Sequence, residues 1–456
     1  MGKRPQPVNR ESVFAPEEIF FSTTDLKGII LSGNDVFVRI SKYSKDELTG
    51  SPHNIIRHPD MPKIVFKLLW DYIQSGKTIV AYVKNMAKDG SFYWVLATVM
   101  PVVDESGKIT EYMSIRIKPT SKYFSLIPEL YAQMLEAEKE GGMEASYTVL
   151  MEALKSLGYR NYEDFMKDVL VEELKDKKTI FNRVISSLES SESCILQSEI
   201  IMKKAKHLYS SIEGLFGKLS RFENLKNLFS QKAESVYKIA DDIRLTALNS
   251  SVESLRLGSN GAVFSVISAE MRKNSEEESK IIKQMKVLID RNTQEIKDVM
   301  YTLSLLKLEI FMFINFLNTI DKLEEGEKKA DLKNFFLLLN SSEMFFRQLS
   351  SLISGSIESL KELDRKIKRL KLLIEELEAM YFRGLIEAGH MSGTNFAIIF
   401  TYVRELVTET KGSILTLEEP LGHILEDESI LHSRVEVILR ELIDLKKTVG
   451  KKVSQL

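Results

Sequence analysis

The sequence predicts an α+β domain followed by a long all-α antiparallel helical bundle. Three observations support this. Short β-rich runs broken by turn signals occupy residues 17–119, helical periodicity follows them, and Pro128 is the only proline between Pro119 and Pro420. A chain of 456 residues also exceeds the size of one compact core, which predicts at least two domains.

The first domain, residues 17–119, follows a tail of residues 1–16 and reads as five strands with short helices between them. Its segments are a strand pair at 18–22 and 28–32, helical spacing at 34–42 and 62–75, and three longer strands at 78–85, 92–103 and 109–117. Two strands, helices and three more strands on one antiparallel sheet is the order of a PAS fold. Such a sheet, with helices over one face, can enclose a planar ligand.

The remaining sequence is helical in composition and spacing. We predict that residues 120–177 form a small coupling module of short helices. The helices are interrupted at Gly141-Gly142 and Gly158, and Asn161 is expected to be an N-cap. Residues 178–456 predict an elongated bundle, because apolar positions recur at helical spacing far beyond the length of an ordinary globular helix. A hairpin tip is expected near residues 258–261, where glycines suit a chain reversal.

Composition excludes several classes of protein. The 63 Lys and Arg residues nearly balance the 65 Asp and Glu residues, so nothing indicates a nucleic-acid partner. A single cysteine, Cys194, and the lack of an apolar leader predict a cytoplasmic protein. The apolar stretch 303–320 contains Lys307, Glu309 and Asn315, which favours a buried bundle helix over a membrane span. Zinc-ligand spacing, phosphate-binding loops and a nucleophile elbow are all missing from the sequence, so no enzymatic activity is expected.

A dense polar and aromatic cluster in the first domain predicts a cofactor site. A flavin requires aromatic walls, amide groups for its uracil edge and cationic groups for phosphate. Residues of these types are Asn34, Arg57, Trp70 and Asn85. The alternative interpretation is structural: Arg57 and Asp60 would form a local ion pair that closes a loop, with Trp70 in the core.

The first quarter of the chain resembles the PAS domain of bacterial aerotaxis receptors. The matching segments are Ser22–Leu26, Pro52–Asn54, Arg57–Pro62, Val83–Asn85, Tyr93–Val95 and Tyr112–Arg116. This resemblance implies non-covalent FAD, with its redox state as the signal. It also implies cofactor binding by Asn34, Arg57, His58, Asp60, Trp70, Asn85 and Tyr93. One position departs from the family, because Ile79 stands where members often carry a tryptophan.

Three other functions stay open at this point. Haem would need an axial ligand, which His53 or His58 could supply. A cofactor-free PAS and coiled-coil protein could serve as an interaction scaffold. A flavoenzyme is the third possibility, although the sequence offers no separate substrate domain.

Residues 239–264 resemble the kinase-control tip of methyl-accepting chemotaxis proteins. The resemblance implies a dimeric four-helix bundle whose tip contacts a coupling adaptor and a chemotaxis histidine kinase, with Asn249, Glu253 and Arg256 at matching positions. Ile243 and Arg244 depart from the polar pair that is usual there. A second, weaker match to the sequence of this tip predicts another tip near residues 389–393. The chain could therefore form a four-helix bundle alone, or act as a homodimer or in a higher receptor assembly. Taken together, the sequence predicts a redox or oxygen sensor of the aerotaxis type.

Overall fold

The computed structural model describes residues 5–104, 106–188, 198–219, 222–319, 325–391 and 394–453. Cys194 and Gly393, which enter two of the expectations above, lie outside these ranges. The chain divides into two compact units. The first comprises Met1–Gly214, Met300–Gln348 and Val437–Leu456, and the second comprises Leu215–Val299 and Leu349–Glu436.

The first unit contains the predicted five-stranded antiparallel sheet. Its strands are β1 (Ile19–Thr24), β2 (Ile30–Gly33), β3 (Ile79–Met86), β4 (Phe92–Val103) and β5 (Ile109–Ile117), in the spatial order β2-β1-β5-β4-β3. Between β2 and β3 lie α1 (Asp35–Ser41), α2 (Lys45–Leu48), a 3₁₀ turn at His53–Ile56 and α3 (Lys63–Gln74). The sequence did not predict α2 or the 3₁₀ turn, because four residues are too few for helical periodicity to register.

The strand register assigns each sheet residue to one of two faces. Phe20 lies opposite Arg116, Ser22 opposite Ser114, and Asn85 opposite Tyr93, so these side chains share the inner face, which α1 and α3 cover. The outer face carries Phe21, Tyr82, Trp94 and Ile115. Helices of the first unit cover this face too, since Trp94 packs on Tyr131 and Phe21 packs on Phe316. The sheet is therefore buried on both sides.

The coupling module, predicted as a set of short helices, begins with α4 (Ile127–Ser156), which consists of two helical segments joined across a kink. Two further helices follow, α5 (Tyr162–Asp176) and α6 (Lys178–Ser187). Gly142, with φ of 71° and ψ of −162°, is non-helical and separates the two segments of α4, because glycine adopts a positive φ at little cost. Asn161 is the N-cap of α5, and its side chain accepts a hydrogen bond from the Asp164 N–H at 2.8 Å.

Five long helices complete the chain, which confirms the all-α antiparallel region. They are α7 (Ser198–Leu219), α8 (Phe222–Arg256), α9 (Ala262–Thr319), α10 (Glu325–Gly389) and α11 (Phe396–Val453). Helix α9 contains one stretch that is long and apolar enough to cross a membrane, and 89% of that stretch is buried within the protein.

In the second unit, parts of α8, α9, α10 and α11 pack together as four helices. Three antiparallel contacts join neighbours: Ser268 to Ser250 (Oγ–Oγ, 2.6 Å), Asn274 Nδ2 to Leu373 O (3.0 Å) and Lys411 Nζ to Glu378 Oε2 (3.0 Å). Near one end, the rings of Phe264 and Phe396 stack with centroids 3.8 Å apart. All four helices of this unit come from one chain.

Candidate ligand site on the inner face of the sheet

Arg116 on β5 is the central polar residue of the inner face. Only 1% of its surface is exposed. Its Nε donates to Ser114 Oγ at 3.0 Å, its Nη2 donates to Ser22 Oγ, and its guanidinium carbon lies 4.8 Å from the centroid of the Phe37 ring. Nη1 is buried and has no hydrogen-bond partner among the described residues. The alternation of β5 directs this side chain inward, opposite Phe20.

The charge of Arg116 is not balanced by a carboxylate in the described part of the chain. Its hydrogen-bond acceptors are both neutral hydroxyl groups. Burial lowers the pKa of Arg116 to about 10, so the side chain still carries a positive charge at neutral pH. A buried cation without a counter-ion is costly, and proteins usually pair such groups. An anionic or electron-rich ligand would supply the missing partner.

Two further polar atoms near Arg116 lack partners within the described residues: Tyr93 Oη on β4 and His53 Nε2 on the 3₁₀ turn. Tyr93 is fully buried and stacks on Phe20, and burial raises the pKa of its hydroxyl above the ordinary value. Burial, and then the positive charge of Arg116, lower the pKa of His53 to about 3, so its imidazole is neutral. Because buried polar atoms normally have partners, these three atoms together indicate a place for a polar ligand.

The two predicted asparagines have different surroundings. Asn85 on β3 is 3% exposed and shares the inner face with Tyr93. Asn34 instead is the N-cap of α1. Its Oδ1 accepts from the N–H groups of Phe21 (3.0 Å) and Phe37 (3.2 Å), and its Nδ2 donates to Ile19 O at 2.8 Å. The Asn34 amide thus ties the start of α1 to β1, and its role in cofactor binding stays a prediction.

The Arg57-His58-Asp60 segment surrounds the start of α3. The Arg57 guanidinium carbon lies 4.1 Å above the Phe66 ring, and its Nη2 donates to Met61 O at 3.2 Å. His58 is buried and accepts a hydrogen bond at Nδ1 from the Asp60 N–H at 3.1 Å. Burial, and then the nearby Lys84 charge, lower the pKa of His58 to about 4. Lys84 Nζ also contacts Asp60 Oδ2 at 2.6 Å. The segment is therefore held by bonds within the protein.

Trp70 on α3 packs edge-on against Tyr112, with ring centroids 5.8 Å apart. The turn before β2 passes close to the indole: a Cβ on Gly28, whose φ is +80°, would lie 3.1 Å from the Trp70 ring. Glycine at position 28 therefore permits both the turn and the close approach.

The structure adds Arg116 and its two serine partners to the residues predicted from the sequence. The available signal was an arginine in the middle of an apolar strand, at residues 109–117. Identifying its face required the register with β1. In the described residues, no group of three or more His, Cys, Asp or Glu side chains could hold a metal ion.

The predicted partner-binding residues lie in the second unit, just before a 3₁₀ turn at Gly258–Gly261 that joins α8 to α9. Asn249 is exposed, and Arg256, with 74% of its side chain exposed, pairs with Glu253 at 3.2 Å. These residues therefore leave polar groups accessible on the surface of this end of α8.

Comparison with known proteins identifies the N-terminal domain. Residues 30–116 match the family described as PAS fold. The aerotaxis receptor of Escherichia coli (strain K12) is 41% identical over 131 residues, which are 29% of this chain and 26% of that protein. The biofilm dispersion protein BdlA of Pseudomonas aeruginosa is 23% identical over 272 residues, 59% of this chain and 54% of that protein.

The chain thus spans about a quarter of the length of one relative and about half of the other. The solved light-state structure of the blue-light photoreceptor Aureochrome1 LOV matches 24% of this chain and 88% of that chain, at 25% identity and a TM-score of 0.22. Residues 30–116 are therefore a PAS domain, homologous to the aerotaxis receptor and to BdlA and followed by long helices.

Proposed function

We propose that this chain is a redox or oxygen sensor of the aerotaxis type, in which the PAS domain binds FAD without a covalent bond. The observation that carries the proposal is the unbalanced charge of Arg116, next to unpartnered atoms of Tyr93 and His53. The domain around these residues is 41% identical to the aerotaxis receptor over 131 residues. The protein is proposed to transmit a signal and not to catalyse a reaction.

The residues of the inner face fit a flavin in type. Aromatic rings of Phe37, Trp70 and Tyr112 offer apolar walls, Asn85 offers an amide for a uracil edge, and Arg116 offers a cation. FAD supplies reversible electron acceptance when it is bound. The protein would balance the charge of the bound group through Arg116 and keep water away by burial. Arg57, His58 and Asp60 would hold the loop beside the site.

The proposed output is control of a chemotaxis histidine kinase through a coupling adaptor, in the cytoplasm. Asn249, Glu253 and Arg256 would contact these partners at the tip of the second unit. Accessible polar groups at this tip support the proposal, as does the similarity of 59% of the chain to BdlA. Assembly into a homodimer or a larger receptor array belongs to the same proposal, whereas no nucleic acid and no membrane span is part of it.

The test is the visible absorbance spectrum of the purified chain, in air and after anaerobic reduction. We expect flavin bands that bleach reversibly. Arg116→Met should bind FAD at least about tenfold more weakly, because an ion pair or charged hydrogen bond is lost. Arg39→Met is the matched control, since Arg39 is 54% exposed and pairs with Glu18 on the surface. Equal FAD affinity in both variants would contradict the role of Arg116.

Haem is a second candidate because one observation favours it. His53 has a neutral imidazole with a buried Nε2 that lacks a partner in the described residues, and a haem iron needs such a nitrogen. A Soret band that disappears in His53→Ala would establish this candidate and reject FAD. A featureless spectrum would reject both cofactors and favour an interaction scaffold.

A further inference from the structure

The edge strand of the PAS sheet is fixed to helices α4 and α5 by tyrosine side chains. Strand β3 is the last strand in the order β2-β1-β5-β4-β3, so carbonyl groups on its free side lack strand partners. Tyr131 on α4 donates its hydroxyl to Tyr82 O at 2.8 Å, and Tyr162 on α5 donates to Val80 O at 3.3 Å. Side chains of two helices therefore replace the missing strand.

Tyr82 makes a third connection, from its own side chain on the outer face. Its hydroxyl donates to Glu173 Oε1 on α5 at 3.0 Å. Glu173 is fully buried, and its Oε2 accepts the N–H of Thr120, just after β5, at 2.8 Å. One carboxylate thus joins the edge strand, the exit from the sheet and helix α5.

Strand β3 also contributes to the ligand site. Tyr82 and Asn85 are three residues apart, so their side chains point to opposite faces of the same strand. Asn85 faces the site beside Tyr93, whereas Tyr82 faces the helices. A shift of β3 at the site would move the acceptors of both tyrosines and the Tyr82 hydroxyl at the same time.

We propose that Tyr82, Tyr131 and Tyr162 form an output joint, which transmits a displacement of β3 to α4 and α5. The idea that a ligand displaces β3 rests on the proposed function. The hydrogen bonds that connect β3 to α4 and α5 do not depend on it. Burial raises the pKa of all three hydroxyl groups above the ordinary tyrosine value, so they stay protonated and remain donors across the physiological pH range. The three residues are positioning residues for signalling.

The first experiment tests the connection without a cofactor. In the full chain freed of ligand, Tyr131→Phe/Tyr162→Phe should increase hydrogen exchange of α5 amides by about tenfold, because two buried hydrogen bonds to β3 are lost. Tyr147→Phe is the matched control, because Tyr147 is on α4 like Tyr131 and 38% of its surface is exposed. Exchange in the double variant that equals the control would overturn the joint.

The second experiment tests transmission in the FAD-bound chain. The wild type should show a difference in α5 exchange between oxidised and reduced protein. Tyr82→Phe/Tyr131→Phe/Tyr162→Phe should lose most of this difference while its flavin absorbance stays unchanged, since phenylalanine preserves each ring. A full redox difference in the triple variant would overturn the joint. Absence of any flavin would contradict the proposed function, and the first experiment would still decide the joint.

Discussion

Replacing Arg116 by methionine should stabilise the ligand-free PAS domain. Burial lowers the pKa of Arg116 to about 10, which is about 2.5 pH units below the ordinary arginine value. Since one pKa unit corresponds to about 1.4 kcal/mol, the charged form costs about 3 kcal/mol in the folded chain relative to the unfolded chain. Methionine has a similar length and no charge. Its introduction leaves the hydroxyl groups of Ser22 and Ser114 without their donor, at about 1 kcal/mol each. The free energy of unfolding should therefore rise by about 1 kcal/mol.

Urea unfolding followed by tryptophan fluorescence is the assay. Both tryptophans of the chain, Trp70 and Trp94, lie in the PAS domain, so the signal reports its unfolding within the full-length protein. Arg39→Met should change the free energy of unfolding by less than about 0.5 kcal/mol, because its ion pair with Glu18 is on the surface. A loss of more than about 1 kcal/mol in Arg116→Met would refute the reasoning. The charge would then be balanced inside the protein, and no ligand would be needed to explain it.

Three other predictions concern the two units separately. Acidification from pH 6.5 to pH 4 should destabilise the PAS domain by about 5 kcal/mol, because the pKa values of His53 and His58 are lowered to about 3 and 4 and the unfolded chain binds more protons in this range. Urea unfolding followed by tryptophan fluorescence should show this loss, and flat stability across the range would contradict it. Lys307→Met should lower the free energy of unfolding by about 2 kcal/mol, because it removes the buried ammonium group 2.5 Å from the Glu213 carboxylate and leaves that carboxylate only the half-exposed Lys178, at 2.9 Å. Lys307→Met/Glu213→Leu should recover most of this loss in thermal unfolding, and a double variant no better than the single one would reject the reasoning. Gly261→Ala should destabilise the second unit by about 2 kcal/mol, because the added Cβ would lie 2.0 Å from the backbone carbonyl oxygen of Ser254. An unchanged melting temperature of that unit would contradict the prediction.

The strands could be predicted from the sequence because each alternates and ends at a turn signal. Strands β4 and β5 begin and end at the predicted residues. The Gly141-Gly142 pair predicted an interruption between helices, and Gly142 is the non-helical residue inside α4. The contacts between the edge strand and the helices could not be predicted. Tyr131 and Tyr162 are ordinary helical residues in the sequence, and their partners become visible only when β3 is known to be an edge strand.

The candidate site was predicted in part. Asn85 and Tyr93 are on the inner face, where a ligand role requires them to be. For Asn34, residue type alone could not distinguish a ligand from an N-cap, since the same amide serves both purposes. Arg116 was not among the predicted site residues, because a single charged residue within an apolar strand gives no periodic pattern. Arg116 matters because no carboxylate among the described residues balances its charge, and this becomes visible only once the strands are placed in the fold.

The second unit takes its four helices from one chain, and this has a consequence for how its surfaces can change. When two identical chains form a bundle, two-fold symmetry copies every substitution onto both halves. Here a substitution in α8 leaves α10 and α11 unchanged. The exposed residues before Gly258 and those near the end of α10, such as Ile386, can therefore diverge independently. One end of the unit could acquire two different recognition surfaces within a single gene product.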